Sequence, residues 1–210
     1  MRPEVFTSED LKRELSLSSS VMERLCIYHS LLVKWQKSIN LVSDSTLPDA
    51  WHRHFYDSAQ ILQYLPKDRR VVADLGSGAG FPGMVLAILS PDLDMNLIES
   101  DERKCLFLRT VSRETDTNVS IHHGRIERVS ESFVPEIVTA RAFADISAIL
   151  ELSSVWNRKN KTLQLILLKG ESADDEIEKA RTRFSLFVES FPSLTHPKAR
   201  ILRISHLSCE

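Results

Sequence analysis

The chain of 210 residues is 42% hydrophobic and 27% charged. That is enough apolar material for one domain of ordinary size with a helical extension, and it excludes a disordered tail or a disulfide-stapled miniprotein. The formal net charge of −2 argues against a surface coated in positive charge, and Lys+Arg against Asp+Glu stand at 10 to 9, 6 to 11 and 11 to 9 in successive thirds, an acidic middle between near-neutral ends.

The first 65 residues read as helical. Val21, Leu25, Tyr28, Leu32, Trp35 and Ile39 recur at spacings of three and four, the signature of one apolar helix face. Thr46-Leu47-Pro48-Asp49 supplies a cap residue, an early proline and an acid three residues after the cap. It is expected to open a second helix carrying Trp51, Phe55, Leu62 and Leu65, closed by Leu65-Pro66-Lys67-Asp68. Residues 1–68 are therefore expected to form a helical extension and 69–210 a second, compact unit.

From residue 70 the period changes. VVADL, MNLIE, VSIHH, EIVTA and LQLILL alternate with segments that suit helices, the rhythm of a parallel sheet covered on both faces. SLFVESF and RILRISHL follow, joined by a short loop with no room for a crossover helix, and should pair antiparallel. An α/β fold with a mostly parallel Rossmann-like sheet, a C-terminal antiparallel hairpin and an N-terminal helical extension describes the class I methyltransferases.

Asp74-Leu75-Gly76-Ser77-Gly78-Ala79-Gly80-Phe81-Pro82-Gly83 falls where the first strand turns into the first crossover helix. Glycines there let the chain turn sharply and bring bare N–H groups to a ligand, and Pro82 suits the first helical turn. The dinucleotide pattern GxGxxG needs a small residue where Phe81 stands, so the match is to acid-x-GxGxG, the form used for S-adenosylmethionine. A carboxylate at Asp74 would repel a pyrophosphate but attract an ammonium and a sulfonium. Glu99, at the end of the next strand, is placed to accept hydrogen bonds from both ribose hydroxyls.

The chain resembles the bacterial small-subunit ribosomal RNA methyltransferase G family, also called glucose-inhibited division protein B, whose members methylate N7 of one guanine in 16S rRNA. The shared blocks are Lys34-Trp35-Gln36-Lys37 with Asn40-Leu41, Arg53-His54-x-x-Asp57-Ser58, and Asp74 to Gly83. They continue through Glu99 with Arg103-Lys104 and Phe107-Leu108, then Gly124-Arg125-Ile126-Glu127, Ala140-Arg141-Ala142-Phe143-Ala144, and Lys169-Gly170 with Glu176-Ile177. Val42, Ala59 and Ile126 depart from the common pattern. The resemblance implies S-adenosyl-L-methionine as cofactor, held at Gly76, Phe81, Ile126, Glu127 and Arg141; the motif adds Asp74, Gly78, Gly80 and Glu99. It implies 16S rRNA or the small ribosomal subunit as partner. Ile126 and Glu127, after the third strand, can cover the adenine and meet its ring edge. Arg141 can pair with the methionyl carboxylate or an RNA phosphate, or sit in a surface salt bridge.

RNA-binding candidates are Lys34, Lys37, Arg53, His54, Arg158, Lys159, Lys161 and Lys169. Asp57 lies four residues after Arg53 and three after His54, so its carboxylate can bridge both, either anchoring the extension or serving the site. Trp156 to Lys161 reads as a basic loop with one aromatic, holding phosphates or merely solvated. Glu171 to Glu178 reads as an acidic helix start facing away from RNA. His52 with His54 and His122 with His123 point apart and hold no metal.

The chain has no Pro-Pro turn of the kind that accompanies exocyclic amine methylation, and no Cys near the ends of the fourth or fifth strands for attack on pyrimidine carbon 5. A ring nitrogen with its own lone pair needs neither, so no general base is expected. Cys26, Cys105 and Cys209 have no metal-ligand or disulfide spacing. Apolar runs such as Leu163–Leu168 fall far short of the roughly 20 residues that span a bilayer, and MRPEVFTSED has no signal-peptide core, so a cytoplasmic protein is expected. Two alternatives stay open: the same fold acting on a small molecule or protein, and a non-catalytic RNA-binding protein.

Overall fold

The computed structural model describes residues 5–68 and 70–209, with side chains described up to Ser205. Residues 1–4 of the segment read for a signal peptide, Arg69, where the second unit was expected to open, and the side chain of Cys209 lie outside the described residues. The first helices are α1 (Ser8–Glu14), opened by a capping box between Thr7 and Asp10, and α2 (Ser19–Gln36), capped by the Ser18 side chain accepting from the Val21 N–H. Helix α2 buries Met22, Leu25, Tyr28 and Leu32, close to the stripe read from spacing.

The second helix is not one helix. A 3-10 turn (Leu47–Asp49) leads into a π-helix (Trp51–Tyr56), a single α turn, α3 (Asp57–Ala59), and a further 3-10 segment (Gln60–Tyr64). Thr46 does not cap it: its hydroxyl donates to the Ser43 carbonyl instead.

Among the described residues seven strands form one sheet: β1 (Val71–Leu75), β2 (Asp94–Glu99), β3 (Ser120–His123), β4 (Ile137–Arg141), β5 (Gln164–Lys169), β6 (Phe184–Pro192) and β7 (Arg200–Cys209). Their order is β3-β2-β1-β4-β5-β7-β6, with β1 to β5 parallel and β7 antiparallel to both neighbours. The antiparallel hairpin is as expected, but β7 rather than β6 docks on β5. The crossovers carry α4 (Gly83–Leu89), α5 (Glu102–Glu114), α6 (Ile126–Val129), α7 (Ile146–Lys159) and α8 (Ala173–Arg181).

The two-residue period of the strands divides the core. Val72, Met95, Leu97, Ile137 and Ile166 pack with α4, α5 and the buried face of α2, whereas Ala73, Leu75, Val138, Leu165 and Leu167 pack with α6, α7 and α8. The N-terminal helices thus share one core with the first face of the sheet. That shared core brings residues 41–57 to the carboxyl ends of the strands.

Candidate functional site

A crevice of about 970 Å³ opens at the carboxyl ends of the parallel strands, where the order reverses between β1 and β4. Its floor is Gly76–Ala79 after β1, together with Glu99 and Ser100 at the end of β2, Arg141–Asp145 at the end of β4 and Leu168–Glu171 at the end of β5. The N-terminal segment closes one side with Leu41–Ser43, Thr46, Arg53, His54 and Asp57, and the β6–β7 connection adds Thr195 and His196.

The glycine-rich turn is held from beneath. Asp74 is 0% exposed and does not line the crevice; its carboxylate accepts from the Gly83 N–H at the start of α4 (3.2 Å) and from the Thr139 hydroxyl (2.9 Å), its register partner on β4. Burial pushes the Asp74 carboxyl up to about 6, against the lowering effect of these bonds. Pro82 stands one residue before the helix, at the N-cap of α4. Gly80 also turns inward, against the Tyr28 hydroxyl, and that hydroxyl donates to the Ala79 carbonyl. The Tyr28 ring lies among Phe55, Phe81 and Phe107, so α2 clamps the turn through a side chain that spacing alone marked as core.

Above the turn, Gly76 and Gly78 have left-handed φ values of +61° and +56°. A Cβ on Gly78 would meet nothing nearer than the Gly76 carbonyl oxygen at 3.7 Å, so open space adjoins this backbone. The Glu99 carboxylate accepts from the Gly78 N–H (2.8 Å) through Oε2 and from the Asp101 N–H (2.8 Å) through Oε1. Each oxygen keeps a further lone pair. Glu99 therefore joins the ends of β1 and β2 and retains acceptor capacity beside the open glycine, which suits a vicinal diol.

Ile126 and Glu127 open α6 and do not line the crevice: Ile126 is buried in the core with Val129 and Ile98, and Glu127 is exposed. Phe81 reaches the crevice wall from an aromatic cluster that includes His54 and Phe55.

Arg141 ties the site to the extension. Its guanidinium lies 5.0 Å from the Phe81 ring centroid and donates to the Arg53 carbonyl (2.9 Å), to Asp57 Oδ2 (3.2 Å) and to His54 Nδ1 (2.9 Å). Because Nδ1 accepts, the His54 proton sits on Nε2, which donates to the Thr46 hydroxyl at 2.9 Å. Burial, reinforced by the charges of Arg141 and Arg53, lowers the His54 pKa to about 3. Asp57 does not bridge Arg53 and His54: its other oxygen accepts from Gln60 (2.9 Å) and Thr195 (2.5 Å). The π-helix shifts the side-chain directions that a 3.6-residue period assumes, and the tertiary partners take the carboxylate.

The basic candidates separate. Arg53 lines the crevice, and Lys37 lines a more open adjoining groove of about 780 Å³ with Asn40. Lys104 lines both cavities and was absent from the sequence candidates; the signal was the Arg103-Lys104 block a few residues after Glu99. Lys34 is exposed on α2 and lines neither. Lys169 turns inward, donating to the Ala144 carbonyl (2.5 Å) and pairing with Glu176 (2.6 Å). Arg158 and Lys159 are not in a loop: they form the last turn of α7, whose Trp156 is buried and donates to the Ser130 carbonyl (3.0 Å). With Lys161 they precede β5, at the end of the sheet away from the crevice. Glu171 and Glu176, expected to face away, both line the crevice, and Glu176 accepts from the first N–H of α7 at Ile146 (3.1 Å). Among the described residues no group of His, Cys, Asp and Glu could hold a metal ion, and no helix is long and apolar enough to cross a membrane.

A family model described as rRNA small subunit methyltransferase G matches residues 21–202. The ribosomal RNA small subunit methyltransferase G of Rhodospirillum rubrum is 44% identical over 207 residues, covering 99% of this chain and 98% of its own. That of Rickettsia prowazekii is 38% identical over 194 residues, covering 92% and 98%. Among solved structures, precorrin-6y C5,15-methyltransferase from Geobacter metallireducens superposes with a TM-score of 0.54 at 14% identity over 80% of this chain and 91% of its own. A mutant of MtNAS in complex with S-adenosylmethionine superposes at 0.57 with 14% identity over 98% of this chain and 86% of its own. These two likenesses are of fold.

Proposed function

The chain belongs to the rRNA small subunit methyltransferase G family, and from that premise we propose that it transfers the methyl group of S-adenosyl-L-methionine to N7 of one guanine in 16S rRNA. The observation that carries the reading is the Glu99 carboxylate, held by the Gly78 and Asp101 N–H groups with acceptor capacity to spare beside a glycine turn with open space. That cradle fits the ribose of a nucleoside cofactor, and Gly76 and Gly78 present backbone to its methionyl end. Arg141 spends three of its five N–H groups on the protein, leaving two for a carboxylate. Asp74 and Gly80 shape the turn rather than touch the ligand, and Ile126 and Glu127 bear on the adenine only through the start of α6.

The cofactor supplies an electrophilic methyl group. Guanine N7 carries a lone pair and loses no proton, so the task of this chain is to hold the base in line with the methyl–sulfur bond, and orientation of that kind contributes roughly 7 to 11 kcal/mol. Of the helical extension read as residues 1–68, Leu41 to Asp57 supply the wall on the RNA side of the sheet unit, and Lys37 and Arg53 of the extension with Lys104 of α5 are the phosphate contacts. Acting on ribosomal RNA, the protein works in the cytoplasm. The test is to map methyl groups on 16S rRNA from cells lacking the protein and to restore them with purified enzyme and S-adenosylmethionine. Loss and recovery of one N7-methylguanine is the expected result; an unchanged 16S pattern would overturn the reading.

A further inference from the structure

Phe143 is 38% exposed inside the crevice, whereas Phe81, which also lines it, is buried. The segment that carries it is pinned on both sides. Upstream, the Arg141 guanidinium is bound to the Arg53 carbonyl, Asp57 and His54. Downstream, the Ala144 carbonyl accepts from Lys169, and Asp145 caps α7 through the Ala148 N–H (2.8 Å). Between them Ala142 holds a left-handed φ of +50°, an unfavourable conformation for a residue with a Cβ. Together these features hold a large apolar side chain in an open cleft at a cost in local stability, a combination that points to a bound partner.

The ring lies over the glycine turn: a Cβ built on Gly76 would stand 2.2 Å from Phe143 Cδ2. Strand order narrows which ligand it meets. Glu99, the ribose acceptor, ends β2 on one side of β1, whereas Phe143 follows β4 on the other side. A nucleoside seated on Glu99 extends its base toward β2 and β3, away from Phe143, so the exposed ring stands in the β4 half of the crevice, where the methyl end of the cofactor has to meet its acceptor. We propose that Phe143 is the platform on which the methyl-accepting base stacks, a specificity and positioning surface for a purine lifted out of its RNA strand. This rests on the function proposed above. A purine presents a π face to the ring, and the pinned segment around the left-handed Ala142 holds that ring in place over the turn.

The test measures single-turnover methyl transfer to small ribosomal subunits from cells lacking the enzyme, at saturating cofactor, together with S-adenosylmethionine affinity by calorimetry and thermal melting. Base–aromatic stacking corresponds to a loss of about five- to 150-fold on removal of the ring. Phe143→Leu is expected to lose that much rate with cofactor affinity within about twofold of the parent, and Phe143→Tyr to recover most of it. Leu at the parental rate would overturn the proposal. So would a Leu variant whose cofactor affinity falls tenfold while its rate at saturation is normal, because the ring would then be a cover for the cofactor. If the parent enzyme itself transfers no methyl group to the subunit, the proposed function fails rather than the role of Phe143.

Discussion

Asp74 and Glu99 are both acids at strand ends, yet their surroundings give them opposite work. Asp74 is buried under the glycine turn, and its folded pKa of about 6 lies above the ordinary value of 3.8. The fold therefore favours the neutral form. Its stabilising contribution is complete below about pH 3.8 and is lost as pH rises through about 6, so Asp74 costs the fold on the order of 3 kcal/mol at pH 8, where it is ionised, and about half that at pH 5, where folding must first protonate it. Asp74→Asn keeps an acceptor for Gly83 without the charge. Urea unfolding should show it gaining on the parent at pH 8, with the gain about 1.5 kcal/mol smaller at pH 5; a difference independent of pH would refute the assignment. Glu99 faces the crevice, and Glu99→Ala is expected to weaken S-adenosylmethionine binding by roughly 1.5 to 3 kcal/mol while the protein remains folded. Calorimetry beside a melting curve checks this, and unchanged affinity would remove Glu99 from the site.

At the scale of elements, the broken second helix is a junction. Its π-helix and α3 present His54 and Asp57 to Arg141 of β4 and Thr195 of the β6–β7 connection, with only 17% and 16% of the Arg141 and Asp57 side chains exposed. Removing one partner strands the others, so Asp57→Ala should destabilise by about 2 to 3 kcal/mol, below the figure for a fully buried pair because some water reaches this one. Denaturant unfolding measures it, and a loss under 0.5 kcal/mol would mean that the junction is held by packing alone. The same lesson applies at α7, where Trp156 anchors the helix end in the core. Trp156→Ala should cost about 3 to 5 kcal/mol, a loss that a solvated aromatic in a basic loop would not show on the same unfolding curve.

For the molecule as a whole, a net charge of −2 leads us to expect that RNA is held by a few local cations, and the fold separates the candidates. Lys37, Arg53 and Lys104 border the crevice and its adjoining groove, whereas Arg158, Lys159 and Lys161 lie at the other end of the sheet. Log affinity against log salt should accordingly be shallow, and Lys104→Ala should lower its slope by about 0.7 to 0.9. Charge removal at Arg158 or Lys159 should leave the slope unchanged; a drop there would place RNA on the opposite face.

Much of what depended on neighbours in the chain was legible in the sequence, the broken second helix excepted. The apolar stripe of α2, the strand–turn–helix around Gly76, the spaced Glu99 and the final hairpin all rest on periodicities and turn residues that act within a few positions. What lay beyond it depended on partners remote in sequence. Tyr28 closes on Ala79 across 51 residues, Arg141 reaches Asp57 across 84, and Thr195 reaches the same carboxylate across 138. A local pattern carries the type and period of a side chain but not the chemistry of the group that packing brings against it. Only the tertiary structure could therefore turn Asp74 inward, turn a basic loop into a helix end, and leave Phe143 open to the crevice.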